Sequence, residues 1–212
     1  VSQVYVNETF KKESADTLQH LAKKNRVMIH KAPEKHLNKI VGDVNHQGFV
    51  AILDDFPYSD LHEWLQSVDV STNPSVLLLD ELQDPHNVGA VIRTAAAMGV
   101  SAVMLPKHRQ VGVNATVMKT SAGAALHIPV VRIGNVNQTI ELLKKAGFWI
   151  ASLDARGQET VWDVDLKSPM VFVVGNEGKG VGEKTLEHCD HIISIPMQDH
   201  VESLNASVSA AI

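Results

Sequence analysis

From residue 75 onward the chain repeats one pattern, in which a short, continuous aliphatic segment is followed by a stretch with helical periodicity. Each aliphatic segment is apolar throughout rather than alternating, as expected for strands that are covered on both faces of a parallel sheet. The six segments are residues 76–79, 102–105, 129–133, 149–153, 170–175 and 192–196. The helical stretches are residues 87–98, 114–125, 136–146 and a last one that begins at Leu204. The pattern predicts an α/β fold with a parallel sheet and helices on both of its faces.

The first 55 residues alternate strands and helices on a smaller scale, and they predict a separate small α/β domain. Its expected strands are residues 1–7, 27–30 and 48–53, and its expected helices are residues 16–24 and 33–40. A short amphipathic helix at residues 61–68 and a polar stretch at residues 69–74 follow. We therefore expect domains at residues 1–55 and 75–212 with a linker at residues 56–74. Because the chain starts without methionine and stops inside a largely apolar stretch, we expect both domains to be truncated.

Composition limits the class of protein. The single cysteine, Cys189, excludes an intramolecular disulfide framework and any CxxC zinc or redox motif, and it fits a reducing, cytoplasmic environment. The apolar segments are far too short to span a bilayer, so we expect no membrane contact. The eleven histidines are scattered along the chain, so we expect no metal site.

The net charge of −5 taken as a whole argues against a nucleic-acid partner, because nucleic-acid binders usually carry a basic surface. Its distribution is less simple. Residues 1–50 and 76–150 each carry an excess of three basic residues, and together they hold fifteen of the nineteen. Such an excess is often only a solvated surface. The charge pattern is therefore compatible both with a nucleic-acid partner and with an ordinary solvent-exposed surface.

Ligands of doubly wound sheets bind in the loops beyond the carboxyl ends of the strands. This rule selects residues 80–93, 175–182 and 196–207, which are rich in small and polar side chains. The second segment carries four glycines, which permit either a close ligand or only a tight turn. It fits neither the P-loop nor the dinucleotide fingerprint, which argues against a nucleotide-dependent oxidoreductase. The ExGxGxG loop of classical methyltransferases is excluded by position, since that loop follows the first strand of a sheet.

The other two segments contain polar residues with more than one possible role. Asn87 lies where an N-cap is expected, so it is either a helix cap or a site residue. Arg93 lies in an apolar helix and needs an anion or a carboxylate, because an unpaired buried charge is costly. A structural salt bridge is its alternative role. Ser203 can cap the last helix, with Asn205 and Ser207 in the first turns.

The three segments together resemble a known family. The sequences DPHNVGAVIRTA at 84–95, VGNEGKG at 174–180 and IPM…SLNASV at 195–208 are similar, in order and spacing, to the three motifs of the SpoU (TrmH-type) RNA ribose 2′-O-methyltransferases of the SPOUT class. The segment HQGFVA at 46–51 resembles the end of the small substrate-binding domain of this family. With that domain present, the chain is most similar to the RlmB-type branch, which methylates a guanosine ribose in 23S ribosomal RNA. A tRNA guanosine methyltransferase and a non-catalytic RNA-binding relative are the alternatives, although the latter should have lost Arg93, Glu177 or Asn205.

The resemblance implies a site, a cofactor and an assembly. The implied catalytic residues are Asn87, Arg93, Glu177, Ser203 and Asn205. The implied contacts of the cofactor, S-adenosylmethionine, are Gly175, Asn176, Ile195, Met197, Leu204 and Ser207. The family also implies a C-terminal trefoil knot, a structured RNA substrate and a homodimer whose interface builds the active site. Since the ordinary pKa of arginine makes Arg93 a poor base, we favour phosphate binding over proton removal as its role.

Overall fold

The structure is a computed structural model that describes residues 1–8, 12–42, 44–198, 200–201 and 203–212, with the side chains of residues 12–15 outside that description. Two positions of the third predicted ligand segment, Asp199 and Glu202, also lie outside it. The chain divides into two compact units, residues 1–57 and residues 58–212. No helix in the described part of the chain is long and apolar enough to cross a bilayer.

The smaller unit is a three-stranded sheet with two helices. Its elements are β1 (Gln3–Asn7), α1 (Lys12–Asn25), β2 (Met28–Ala32), α2 (Glu34–Val41) and β3 (Phe49–Ile52). Strand β1 lies in the middle, parallel to β2 and antiparallel to β3. Leu37 of α2 packs onto Ala32 and Val50 of the sheet, and Tyr5 stacks on His30. Each predicted strand and helix of this unit is present, within a few residues of its predicted bounds.

The larger unit contains the six predicted strands and the predicted helices. Its elements are α3 (Leu61–Ser67), β4 (Ser75–Leu79), α4 (Pro85–Ala97), β5 (Ala102–Pro106), α5 (Ala115–Thr120), β6 (Val130–Ile133), α6 (Val136–Lys145), β7 (Trp149–Leu153), β8 (Glu159–Thr160), β9 (Met170–Val174), α7 (Glu183–Leu186), β10 (His191–Ser194) and α8 (Ala206–Ser209). Strand β8 and helix α7 were not predicted, because elements of two and four residues are too short to produce a periodic pattern.

The seven strands form one sheet in the order β6-β5-β4-β9-β7-β10-β8, and each described pairing in it is parallel. The predicted parallel α/β sheet is therefore confirmed. Helices α3, α6 and α7 pack on the face that carries Val76 and Leu78, whereas α4 and α8 lie on the face of Leu77. Both Leu79 and Leu153 are in register with Val174. The loops that follow β4, β7 and β9 consequently leave the sheet at one edge.

The predicted linker at residues 56–74 differs from the structure. Residues 58–74 group with the larger unit, where Ser59 pairs with Val131 and α3 packs on the core. Trp64 of α3 is only 6% exposed and lies with its ring centroid 6.0 Å from that of Phe148. The polar residues that suggested a linker instead form a capped turn, in which the Asp69 carboxylate accepts the Ser71 N–H.

This division predicts where the chain can be shortened. Removal of residues 1–57 is expected to leave the larger unit folded, because the described residues of its core clusters all lie beyond residue 57. Removal of residues 1–70 also removes Trp64, and loss of a buried tryptophan side chain costs about 3–5 kcal/mol. Urea unfolding followed by circular dichroism compares the two truncated chains. Equal unfolding midpoints would contradict the assignment of α3 to the larger core.

Candidate active site

A cleft of about 320 Å³ opens at the carboxyl edge of the sheet, between the loops that follow β7, β9 and β10. This is the edge at which α/β sheets bind ligands, and the volume suits a small molecule. The walls of the cleft are formed by Leu153, Asp154, Ala155, Arg156, Val174, Gly175, Asn176, Glu177, Gly178, Lys179, Gly180, Ile193, Ile195, Met197, Ser203, Leu204, Ala206 and Ser209.

The glycine-rich segment after β9 forms one wall as a closed loop. A Cβ atom on Gly175 would lie 2.3 Å from the carbonyl carbon of Gly180, so no side chain fits there. Asn176 and Gly180 exchange two backbone hydrogen bonds, of 3.1 and 2.8 Å. The Asn176 side chain accepts the N–H groups of Gly178 and Lys179 and donates to the Glu81 carbonyl at 3.0 Å. The segment is thus a tight turn that also presents its backbone to the cleft.

Three of the predicted catalytic residues form a hydrogen-bonded chain beside this wall. The Asn87 amide donates to Glu177 Oε1 at 2.7 Å, and the Asn205 amide donates to Asn87 Oδ1 at 2.9 Å. The side-chain oxygen of Asn205, Oδ1, in turn accepts the backbone N–H and the hydroxyl of Ser207. Asn87 is thereby brought next to Glu177, 90 positions away in sequence, and next to Asn205, 118 positions away. These hydrogen bonds give each side-chain amide one defined orientation.

The capping roles considered for two of these positions are wrong. Asp84 caps α4 by accepting the His86 N–H at 2.9 Å, and Pro85 occupies the first helical position. Asn87 is one turn further on, so its side chain is available to Glu177. Asn205 rather than Ser203 caps α8, and Ser203 lies in the cleft wall instead.

The expectation that Arg93 is buried is also wrong. Arg93 is exposed on α4, next to the fully buried Ile92, and it forms no ion pair within the described residues. Six residues of α-helix separate it from Asn87, which corresponds to about 9 Å along the axis and about 120° around it. Helix α4 therefore directs Arg93 to a different side from Asn87.

Five of the six positions expected to contact the cofactor line the cleft, namely Gly175, Asn176, Ile195, Met197 and Leu204. Ser207 is not among the lining residues, and its contact is the hydrogen bond to Asn205. Glu177 and Ser203 of the expected catalytic set line the same cleft.

Two lining residues, Asp154 and Arg156, were not selected from the sequence. They follow β7 at the same edge, so the rule that selected the other loops would have found them. Arg156 Nε and Nη2 donate to the two oxygens of Asp154 at 2.7 and 2.8 Å. This guanidinium holds the pKa of the Asp154 carboxyl below its usual range, although the carboxyl is only 5% exposed. The pair is ionised throughout the neutral pH range.

Cys189 and the two histidines near it, His188 and His191, have local partners. His188 and His191 contact Glu141 and Glu159, and no group of three potential metal ligands occurs among the described residues. Burial raises the pKa of the Cys189 thiol to about 12. At neutral pH this thiol is protonated, so it is not a nucleophile.

A parallel α/β sheet with a glycine-walled cleft at its carboxyl edge, and an oriented amide–carboxylate chain beside it, defines an enzyme domain that binds a small organic ligand. Residues 74–212 match the model of the SpoU rRNA Methylase family, and residues 1–59 match that of the RNA 2′-O ribose methyltransferase substrate-binding domain. The chain therefore belongs to the SpoU family of RNA methyltransferases.

Individual relatives agree with this assignment. The chain is 42% identical over 192 residues to an uncharacterized tRNA/rRNA methyltransferase of Synechocystis, with 90% of the chain covered but only 50% of the relative. It is 39% identical over 211 residues to YacO, a putative TrmH family tRNA/rRNA methyltransferase of Bacillus subtilis, with 99% and 84% covered. The chain thus spans half the length of the first relative and most of the second.

Solved structures agree on the fold. The SpoU methyltransferase AviRb of Streptomyces viridochromogenes superposes with a TM-score of 0.83 at 22% identity, over 100% of this chain and 78% of that one. An AdoMet-bound rRNA methyltransferase of Sinorhizobium meliloti superposes with a TM-score of 0.84 at 22% identity, over 99% and 76%. Both likenesses cover 99% or more of this chain, so the similarity in fold includes residues of both units.

Proposed function

We propose that this chain transfers the methyl group of S-adenosylmethionine to the 2′-oxygen of a guanosine ribose in 23S ribosomal RNA. The observation that carries the proposal is the hydrogen-bonded chain Glu177–Asn87–Asn205 at the glycine-walled cleft. Its residues come from the three motif segments of the family, and none of the three side chains is replaced.

The cleft fits S-adenosylmethionine in shape and in chemistry. Backbone groups can approach a ligand closely at Gly175, where a side chain is sterically excluded. The aliphatic side chains of Ile193, Ile195 and Leu204 offer an apolar surface to a flat base, and the carboxylate of Glu177 suits a positive sulfonium. When bound, the cofactor supplies an electrophilic methyl group.

The residues of the chain then contribute mainly placement. A ribose hydroxyl is a weak nucleophile, so holding it in line with the methyl group is the main source of acceleration. Glu177 uses one oxygen for Asn87, and its second oxygen has no hydrogen-bond partner among the described residues. We assign that oxygen to the ribose hydroxyl, whose proton it orients or accepts.

We further propose a homodimer that shares its active sites. Arg93 is exposed, is unpaired within the described residues and lies on a different side of α4 from Asn87. Its own cleft therefore does not explain why the family motif contains it. Met98, the C-cap residue of the same helix, is 74% exposed, and a second copy would cover it. In the dimer, Arg93 of one subunit binds a substrate phosphate at the cleft of the other.

The smaller unit is proposed to bind the RNA. Its sequence matches the substrate-binding model, and residues 1–50 carry one of the two basic excesses of the chain. Because the net charge is negative, RNA affinity should be modest and should fall with salt. A tRNA guanosine is the second candidate substrate, since the relatives are named for both RNA classes.

A trefoil knot and a cytoplasmic location complete the proposal. Strand β10 is inserted between β7 and β8, although it follows both in sequence. A Cβ atom on Gly157 would lie 2.5 Å from the Ile192 carbonyl oxygen, so the chain after β7 passes directly against β10. These crossings support a knot in the segment that ends in α8, a rare topology in proteins.

Methyl transfer to transcribed RNA tests the proposed function. The chain is incubated with labelled S-adenosylmethionine and either 23S ribosomal RNA or tRNA transcripts, and the labelled nucleoside is mapped by mass spectrometry. We expect 2′-O-methylguanosine from the 23S transcript. A transcript with a 2′-deoxy sugar at the mapped position is the control and should accept no label. Label on a base, or on neither RNA, would contradict the proposal.

A further inference from the structure

The carboxylate of Asp154 lines the cleft, yet it has no acceptor site left for a ligand. Oδ1 accepts the Arg156 backbone N–H at 3.0 Å and Arg156 Nε at 2.7 Å. Oδ2 accepts Arg156 Nη2 at 2.8 Å and the Val181 N–H at 3.3 Å. An ionised carboxylate offers about four acceptor sites, and all four are occupied here. Asp154 is therefore an anchor for the protein rather than a ligand for a cofactor hydroxyl.

What Asp154 and Arg156 hold is the end of the glycine-rich loop. Arg156 Nη2 donates to the Val181 carbonyl at 2.9 Å, so the pair binds both backbone polar groups of Val181. A Cβ atom on Gly180 would lie 2.7 Å from Asp154 Oδ2, which shows how closely the loop backbone lies against the carboxylate. Hydrogen bonds thus join the loop after β7 to the loop after β9.

This contact supports the wall that faces the cleft. Gly180 packs directly behind Gly175, where the two backbones leave no room for a side chain. If the hydrogen bonds from Asp154 and Arg156 to Val181 are lost, Gly180 and Val181 can move away from Gly175, and the position of this cleft wall is no longer fixed. The part of the loop next to Glu177 is held separately, because Asn176 accepts the N–H groups of Gly178 and Lys179. Loss of the anchor should therefore affect cofactor affinity more than the rate of the bound enzyme.

We propose that Arg156 is a positioning residue that sets the affinity of the cleft for S-adenosylmethionine, acting through Asp154 and the Gly180–Val181 backbone. This inference rests on the proposed function, because it takes the cofactor from there. The geometry requires arginine, because two nitrogens of one rigid guanidinium donate to the Asp154 carboxylate. One of these nitrogens, Nη2, also donates to the Val181 carbonyl. A lysine at this position retains the charge but cannot make the same set of contacts.

Calorimetric titration with S-adenosylhomocysteine tests the inference on the full chain. From the loss of a bidentate charge-assisted contact, we expect Arg156→Ala to weaken binding about tenfold and Arg156→Lys to recover only part of that loss. The KM for S-adenosylmethionine should rise in parallel, whereas kcat at saturating cofactor and the KM for RNA should change by less than about twofold. Lys184→Ala, which removes an exposed charge two residues beyond Gly182, is the matched control and should bind like the unchanged chain.

The outcomes separate this inference from the function on which it rests. If the unchanged chain does not bind S-adenosylhomocysteine, the proposed function fails. If it binds, and both Arg156 variants bind equally well, only the positioning role of Arg156 is overturned. A fall in kcat that matches the fall in affinity would also overturn it, because the loop would then position the reacting groups. Arg156→Lys keeps the test valid if Arg156→Ala does not fold.

Discussion

Arg93→Ala is expected to abolish methyl transfer while leaving affinity for S-adenosylhomocysteine within about twofold of the unchanged chain, since we assign the arginine to the substrate phosphate rather than to the cofactor. The substitution should not disturb the fold. Arg93 is exposed and has no ion-pair partner among the described residues, so its removal leaves no buried group unsatisfied. On one preparation of the variant, single-turnover methylation measures methyl transfer, calorimetry measures affinity for S-adenosylhomocysteine, and thermal unfolding measures the stability of the fold.

The same variant tests whether the active sites are shared. A dimer of one Arg93→Ala subunit and one Asn205→Ala subunit has one cleft with an intact Asn205 that faces an intact Arg93. Random mixing in a twofold-symmetric dimer should therefore restore about a quarter of the normal activity. A mixture of Asn205→Ala and Glu177→Ala subunits is the control. Asn205 and Glu177 of one subunit both serve the cleft of that subunit, so each cleft of a hybrid dimer carries one of the two changes and no activity should return.

Two results would contradict this assignment. Normal methylation by Arg93→Ala would remove the residue from the active site. Inactive mixtures, in which mass spectrometry shows that hybrid dimers have formed, would mean that Arg93 serves its own cleft after all. In that case α4 would have to change its orientation when RNA binds.

Most strands of the larger unit were predictable because their residues are buried on both faces of the sheet, whereas the two-residue strand β8 is not buried and was not predicted. The four residues Val76 to Leu79 are all apolar and almost fully buried, and this leaves a pattern that no exposed segment imitates. The order of the strands was not predictable in the same way. Strand β9 is inserted between β4 and β7, and such long-range pairing has no signature in local periodicity.

Some features of the candidate site were likewise predictable from the sequence, and others were not. Motif spacing identified Asn87, Glu177 and Asn205, and the structure joins them by hydrogen bonds. Periodicity misjudged Arg93, because its apolar neighbours suggested burial on all sides. In the structure the end of α4 is exposed, and Met98 shows that apolar residues there do not mark the core of a single chain.

The anchor pair was missed for a different reason. The rule on strand ends covers the loop after β7 that holds Asp154 and Arg156, but this loop has one glycine and no repeated pattern, so it was not selected from the sequence. The role that we propose for them rests on a contact with Val181, 25 residues or more further along the chain, that only the folded molecule shows.

Gly175→Ala is expected to abolish cofactor binding, with a loss of at least about a hundredfold, because the clash is with backbone on a wall that cannot move without opening the cleft. The new Cβ atom would lie 2.3 Å from the Gly180 carbonyl carbon and 2.4 Å from the Val181 nitrogen. Neither atom belongs to a side chain that can rotate away. The loop would have to shift, and the hydrogen bonds between Asn176 and Gly180 would be strained.

The matched control is Gly182→Ala, seven residues further along the same segment. Its φ of −63° suits alanine, and a Cβ atom there meets nothing within 4 Å. Overpacking of this kind costs about 1–3 kcal/mol, which is less than the 5–15 kcal/mol stability of a typical domain, so Gly175→Ala should remain folded. Calorimetry with S-adenosylhomocysteine then measures the effect of the added methyl group on cofactor affinity, and thermal unfolding measures its effect on stability. Normal binding by Gly175→Ala would show that this backbone contact is not part of the cofactor site, whereas equal losses in both variants would show that the segment is sensitive to any side chain.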